Sequence, residues 1–263
     1  MSSILLNLLF PPRCAGCDEL IPVADWRRGD ECLCRECRAA WELSKLEVCP
    51  ACHEPMLDCR CMTDFLEESG MQALRKLTAY GTNETSQRSV ADRLLYHVKD
   101  QHIVTYERFL AAQLVPIVRA EMKYRGWLLA DESGVPPFET VVTYCPRSPA
   151  MVRKQGTDQA ERIARNLASM LGLNFLPTLA RRDNTQQKML GAEERRRHAA
   201  SIYRLRRGVS VAVKRVILVD DIVTTGASMA ACTEALLGGG ALSVIGVAVE
   251  KVVRKKEKKA KKA

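Results

Sequence analysis

Two hydrophobic periods alternate along this chain. Val216-Ile217-Leu218-Val219 is an unbroken apolar run, the pattern of a parallel strand covered on both faces, and Val211–Val219 leads through it. Thr140-Val141-Val142-Thr143-Tyr144 and Val244–Val249 predict further strands, Leu173–Leu176 a shorter one, and Ala79-Tyr80-Gly81 the end of a short strand or turn. Between these runs the period lengthens to that of a helix. Val90, Leu94, Leu95 and Val98 fall on one helical face, and Phe109, Leu110, Leu114, Ile117 and Val118 on another. Ala160, Ile163, Ala164, Leu167, Ala168 and Leu171 form a third stripe, which Gly172 ends. A further helix is expected over Ala227–Leu237, while Gly126–Pro137 has the composition of a loop. Strand and helix in alternation predict an α/β fold with a mostly parallel sheet and right-handed crossovers.

In open sheets of this kind ligands bind beyond the carboxyl ends of the strands. There the Val216–Val219 run meets Asp220-Asp221, then Ile222-Val223-Thr224-Thr225-Gly226-Ala227-Ser228, then the helix. Thr224, Thr225 and Ser228 bring hydroxyls, and Gly226 lets the backbone approach a ligand closely. The free N–H groups and dipole of the helix start, through Ala227, favour a phosphate. Two carboxylates suit a sugar diol, so the segment describes a site for a phosphorylated ribose. A turn whose acids merely cap the helix would need one acid or hydroxyl at one position, not two acids and three hydroxyls. No Gly-Lys-Ser/Thr follows, which excludes a Walker-type loop.

The start of the chain has a different chemistry. Nine of the eleven cysteines fall within the first 61 residues. Cys14-x-x-Cys17, Cys34-x-x-Cys37 and Cys49-x-x-Cys52 have the spacing of zinc knuckles, and Cys59-x-Cys61 closes a second set. Eight thiolates would hold two structural zinc ions, with Cys32 the spare. Two pairings stand open. Sequential sites take Cys14, Cys17, Cys34 and Cys37, then Cys49, Cys52, Cys59 and Cys61. A cross-brace joins Cys14 and Cys17 to Cys49 and Cys52. His53 directly follows Cys52 and reads as a surface histidine rather than a ligand. Disulfides compete with metal here, but a reducing cytosol disfavours them, and a cytoplasmic location is expected since no export signal is visible.

Composition modifies this picture in two places. The formal charge of +9 is concentrated at the end: residues 251–263 hold eight Lys or Arg and one Glu, leaving +2 for the remaining 250 residues. This tail is expected to be disordered, a solvated run that can also touch nucleic acid or anionic lipid. Aromatics are only 5%, against a base-stacking platform for single strands. Ile4-Leu5-Leu6-Asn7-Leu8-Leu9-Phe10 is apolar but meets Pro11-Pro12 at once, too short for a membrane span and without the basic flank of a signal peptide. The expected organisation is a double zinc-ribbon-like head over 1–64, an α/β domain over 65–250 and the basic tail over 251–263.

Strand, Asp220-Asp221, Thr224-Thr225-Gly226 and helix in that order resemble the phosphoribosyl-pyrophosphate (PRPP) loop of type I phosphoribosyltransferases. With the cysteine-rich start, the whole resembles the ComF family, a zinc-ribbon head on a phosphoribosyltransferase-like domain. Phe10-Pro11-Pro12-Arg13-Cys14-Ala15-Gly16-Cys17 is similar to that family's opening, and Leu94–Lys99 to a helix ending in lysine. Tyr144-Cys145-Pro146-Arg147 with Arg153-Lys154-Gln155-Gly156-Thr157-Asp158-Gln159-Ala160 is similar to its pyrophosphate-side loop, and Thr185–Leu190 with Glu194–His198 to the segment that covers the site. The chain departs from the family at Gln155, where arginine is common, and at His198, where asparagine is.

The resemblance implies that Asp220 and Asp221 orient the ribose of a magnesium–PRPP complex. It implies that Thr224, Thr225, Gly226, Ala227 and Ser228 hold the 5-phosphate, and that Arg147, Arg153 and Lys154 neutralise the leaving pyrophosphate. Phosphoribosyl transfer to an unknown acceptor is one expectation. The other is a non-catalytic role in natural competence or recombination, with single-stranded DNA or a competence helicase as partner. Plainer readings apply to several residues. Arg195, Arg196 and Arg197 read also as a solvated helix face, Gln159 and Gln187 as surface amides, and Cys145 and Cys232 as buried small hydrophobes.

Overall fold

The computed structural model describes residues 11–25, 32–80, 89–101, 104–128, 138–182 and 202–252. After a cysteine-bearing hairpin come α1 (Arg35–Ser44), a second cysteine-bearing hairpin and the short α2 (Asp64–Glu68). β1 (Ala73–Tyr80), α3 (Val90–Gln101) and α4 (Val104–Tyr124) follow, then β2 (Thr140–Tyr144), α5 (Pro149–Gln155) and α6 (Gln159–Leu171). β3 (Asn174–Phe175), β4 (Leu179–Arg181) and β5 (Tyr203–Leu205) are short. The chain then forms β6 (Arg215–Val223), α7 (Ala227–Gly238) and β7 (Ser243–Val252).

Five strands form one sheet in the order β1-β7-β6-β2-β3, with every neighbouring pair parallel. The unbroken apolar run in β6 follows from burial on both faces. Ile217 and Val219 point into one core with α4 and α6 residues such as Leu114, Ile163 and Leu167. Val216 and Leu218 point into the opposite core with Met229, Cys232 and Leu236 of α7. From β2 the chain moves outward through α6 to β3; from β6 it moves the other way through α7 to β7. The strand order therefore reverses between β2 and β6, and the crevice at their carboxyl ends is the topological switch point where open α/β sheets bind ligands.

β2 and the cap at Gly172, whose φ is 70°, fall where the hydrophobic pattern placed them. β6 is longer than its apolar run and carries both aspartates and Val223 within the strand. β7 likewise runs on to Val252, with Lys251 opposite Ala79 and Val223, so Lys251 belongs to the sheet, and residues 253–263 lie outside the described ones. Val211–Val213 belongs to no strand: Val213 takes a φ of 58° and its N–H donates to Gly240 at 2.9 Å, tying the entry of β6 to the entry of β7. α1, α2, α5, β4 and β5 were absent from the expectation. α5 has a full set of local signals: Ser148 caps it through the Met151 N–H, Pro149 opens it and left-handed Gly156 closes it. β4 and β5 form a separate antiparallel ribbon against α7.

The cysteine-rich head is built from one hairpin used twice. Cys14 donates its N–H to Glu19 at 2.8 Å and accepts from Asp18 at 2.7 Å; Cys49 does the same with Glu54 and His53, both at 2.8 Å. Asp18 and His53, each following the second cysteine of its pair, share a left-handed φ of 66° and 61°. The head does not stand apart. Cys14, Leu33 and Trp41 are buried in the same core as Leu94, Phe109 and Ile217. Trp41 also donates its indole N–H to Gln113 of α4 at 3.3 Å, and Tyr106 its hydroxyl to the Arg13 carbonyl at 3.1 Å.

Candidate functional site

Asp220 and Asp221 lie side by side near the carboxyl end of β6. Asp220 lines a cavity of about 60 Å³ with Ile222, Val223 and the loop from Thr224 to Ser228. That space equals about two waters' share of liquid volume, enough for a small anion. Burial, reinforced by the neighbouring Asp221, pushes the Asp220 carboxyl well above the usual carboxylate range. Asp221 is buried and pairs through Oδ2 with Nη2 of Arg147, which comes from the segment after β2.

Arg147 is held from three sides. Its Nη1 donates to Gln155 Oε1 at 2.6 Å, its backbone N–H to Asp158 Oδ2 at 2.8 Å, and its Nη2 to Asp221. The glutamine at 155 thus accepts a bond that an arginine there would replace with like-charge repulsion. Asp158 is the N-cap residue of α6; burial raises its carboxyl while Arg147 acts to lower it. Gln159 is fully buried, against its plainer reading as a surface amide, and among the described residues neither amide atom has a partner. Arg153 and Lys154 are exposed on the last turn of α5, placed to complement its dipole.

The loop between β6 and α7 departs from both regular structures at Gly226. Its φ of 83° favours glycine, and its carbonyl accepts the first intrahelical bond from Ala230 at 2.8 Å. A Cβ there would lie 2.7 Å from Thr63 Oγ1 and 2.9 Å from Leu66 Cγ. Thr224, Thr225 and Ser228 are exposed and line the cavity. A helix N-terminus, a close-approaching backbone and hydroxyl donors converge there, beside two carboxylates and one guanidinium. Such a set of donors is chemically suited to an anion such as a phosphate.

Residues 152–263 match the family model of the phosphoribosyl transferase domain. The matched stretch includes Asp220, Asp221 and the whole Thr224–Ser228 loop; β1, β2, Arg147 and the cysteine-rich head lie before it. Among solved structures, adenine phosphoribosyltransferase from Saccharomyces cerevisiae is similar at 17% identity, over 54% of this chain and 68% of that one, with a TM-score of 0.32. A hypoxanthine phosphoribosyltransferase from Staphylococcus aureus is similar at 11% identity, over 62% and 76%, with a TM-score of 0.34. Phosphoribosylpyrophosphate synthetase from Mycobacterium smegmatis is similar at 16% identity, over 69% and 55%, also at 0.34. Comparison with curated proteins found no match. The fold is an α/β parallel-sheet, phosphoribosyltransferase-like one, with two four-cysteine clusters near its N-terminus.

Those clusters are Cys14, Cys17, Cys34 and Cys37, and Cys49, Cys52, Cys59 and Cys61, the sequential arrangement. Cys32 is buried outside both, and His53 is exposed. All sulfurs within a cluster lie within 4.8 Å of one another, with Cys17–Cys34 at 3.9 Å and Cys52–Cys59 at 3.5 Å. A tetrahedral zinc with bonds of about 2.3 Å sets its sulfurs about 3.8 Å apart, so the donor sets fit that ion. A disulfide would need about 2.05 Å. Supporting bonds are in place: the N–H groups of Gly16 and Cys34 each donate to Cys14 Sγ at 3.3 Å. In the second cluster burial acts to raise the Cys59 thiol, but the buried Lys76 ammonium, the Cys61 N–H and Cys49 together hold it down at about 7.

Sequence reasoning located the acids, the loop and the eight clustered cysteines but missed Asp158, Thr63 and the grip of Gln155 on Arg147. Asp158 stood inside a quoted stretch, and its place before a helical stripe was a capping signal. Thr63 is 162 residues from its partner Thr225, and nothing local announces that contact. Ile4–Phe10, the Lys99 side chain, Thr185–Leu190 and Glu194–His198, with Arg195, Arg196 and Arg197, lie outside the described residues.

Proposed function

We propose that the protein binds PRPP, or another ribose 5-phosphate ligand, together with magnesium, and transfers the phosphoribosyl group to an acceptor. One observation carries this reading: at the β2–β6 switch point, Asp220 lines the same small cavity as the Thr224–Ser228 loop. In this reading the loop holds the 5-phosphate through backbone N–H groups and hydroxyls, and the aspartates accept hydrogen bonds from the ribose hydroxyls. Magnesium, when bound with the ligand, spreads the charge of the pyrophosphate. Arg147 moves from Asp221 to the departing pyrophosphate, with Arg153 and Lys154 adding positive field. The C1–O bond to pyrophosphate breaks, a bond from C1 to the acceptor nitrogen forms, and the acceptor's proton leaves to solvent. Positioning and electrostatics supply the catalysis.

Two structural zinc ions, one in each cysteine cluster, complete the proposed protein, and the cytoplasm is its proposed location. The double-cysteine head joined to this site supports assignment to the ComF family and a link to competence. It also supports the second reading, in which the site binds its ligand without turnover and the protein contacts DNA or a helicase. Among the described residues, no helix is long and apolar enough to cross a membrane.

Calorimetry of PRPP with magnesium tests the site. The parent should bind, and the doubly substituted Asp220→Asn/Asp221→Asn protein should lose at least about ten-fold in affinity, as removal of buried charge-assisted bonds predicts. A parent that binds nothing would falsify both readings of the site. Pyrophosphate release with any member of a panel of bases selects transfer; binding without release selects the second reading.

A further inference from the structure

The phosphate loop is held from outside by the cysteine-rich head. Thr63 Oγ1 donates to the Thr225 carbonyl at 2.9 Å, fixing the plane of the Thr225–Gly226 peptide. In a trans peptide the Gly226 N–H points opposite that carbonyl, away from Thr63. That N–H has no protein acceptor among the described residues, which leaves it for a ligand. Glycine at 226 is what lets Thr63 and Leu66 close on the loop, since a Cβ would collide with both.

Thr63 is itself tightly placed. It directly precedes α2, whose Leu66 is fully buried against α7 residues. One residue, Met62, separates it from Cys61. Cys61 is fixed at both ends, its sulfur within the second cluster and its carbonyl accepting from Lys76 Nζ at 2.9 Å. Arg75, the neighbour of Lys76 on β1, reaches the Leu57 and Asp58 carbonyls at 2.8 and 3.3 Å, so the whole loop bearing Cys59 and Cys61 is bolted to the edge strand. A short, constrained path therefore runs from the second cluster to the backbone that receives the phosphate.

We infer that Thr63 is a positioning residue for the phosphate loop, and that through it the second four-cysteine cluster sets how firmly that loop grips a phosphate. The inference rests on the ribose-phosphate reading of the site, but the contact itself is testable without a ligand. Hydrogen exchange in the full-length, metal-replete protein should show the Ala230 amide, which donates to the Gly226 carbonyl at the end of the loop, exchanging about five- to ten-fold faster in Thr63→Ala, the loss of one hydrogen bond. Thr63→Ser should match the parent, and core amides of β7 should be unchanged in both. Unchanged Ala230 exchange in Thr63→Ala overturns the inference.

Titration with ribose 5-phosphate separates the two layers. Thr63→Ala should bind about five-fold more weakly than the parent. A parent that does not bind removes the ribose-phosphate reading, while the exchange result still judges the clamp. Cys61→Ser tests the link to the cluster. If the path runs through Thr63, the Ala230 acceleration caused by Cys61→Ser should largely vanish when Thr63 is already alanine. Simple additivity of the two substitutions overturns that link.

Discussion

At the scale of single residues the site is a set of carboxylates competing for one guanidinium. Asp221 pairs with Arg147, whereas the Asp220 carboxyl is raised by burial and by Asp221. A carboxyl raised in the folded state binds more protons there than in the unfolded chain, so its contribution to stability falls as pH rises above the unfolded value of about 3.9. Asp220→Asn removes that penalty. The substituted protein should melt above the parent at neutral pH by roughly 2–4 °C, the shift about 1 kcal/mol makes in a domain of this size. The gap should widen as pH rises above about 4, where the unfolded carboxyl titrates. A pH-independent difference in melting temperature would show that Asp220 is not the group responsible. In the proposed function the ligand has the opposite demand: magnesium–PRPP would need the ionised carboxylate, so its affinity should rise across the same window in the parent. The residue proposed to bind the ligand is thus one that costs the empty protein stability.

At the scale of elements, buried charges join the head to the sheet. Glu121 of α4 is fully buried and meets Arg60 at 3.1 Å, Arg125 at 2.7 Å and Arg75 at 4.0 Å. Arg60 lies between the clustered cysteines Cys59 and Cys61, so the cluster, the edge strand and α4 share one anion. Glu121→Gln takes from the guanidinium of Arg75, 7% exposed, its strongest counter-charge and should cost about 3–5 kcal/mol in urea unfolding. Arg60→Ala, at a side chain 48% exposed, should cost less than about 1 kcal/mol. Equal costs would mean that burial does not govern this network. No sequence pattern announced it, because it joins residues 60, 75, 121 and 125 across separate elements. β2 and α6 were legible because burial imposes a period on them. The entry to β6 was misread because Val211 is buried against other elements without a ladder partner, and apolar character alone does not separate the two. Asp220 and Asp221 were legible as a site because two adjacent acids near the end of a buried strand have no packing role.

At the scale of the whole molecule, the decisive fact is that the head shares its core with the sheet. Cys14, Leu33 and Trp41 are buried with Phe109, Ile163 and Ile217, so the first cluster is not a bead on a string. A small segment held by thiolate ligands normally folds only with its metal. Here its unfolding would also uncover the α3–α4 face of the sheet. Metal analysis should therefore find about two zinc ions per chain, four cysteines to each. Withdrawing them with a strong chelator should lower the melting of the entire protein in one cooperative transition, and the near-ultraviolet signal of Trp41 should change together with that of Trp127, which lies in the same core. A head that melts alone, leaving the sheet's transition in place, would mean that the shared core contributes little. The coupling runs in both directions: a phosphorylated ligand that stabilises the β6–α7 loop stabilises, through Thr63, the segment that carries Cys61. Metal release in the presence of ribose 5-phosphate should then be slower than in its absence, with the difference lost in Thr63→Ala.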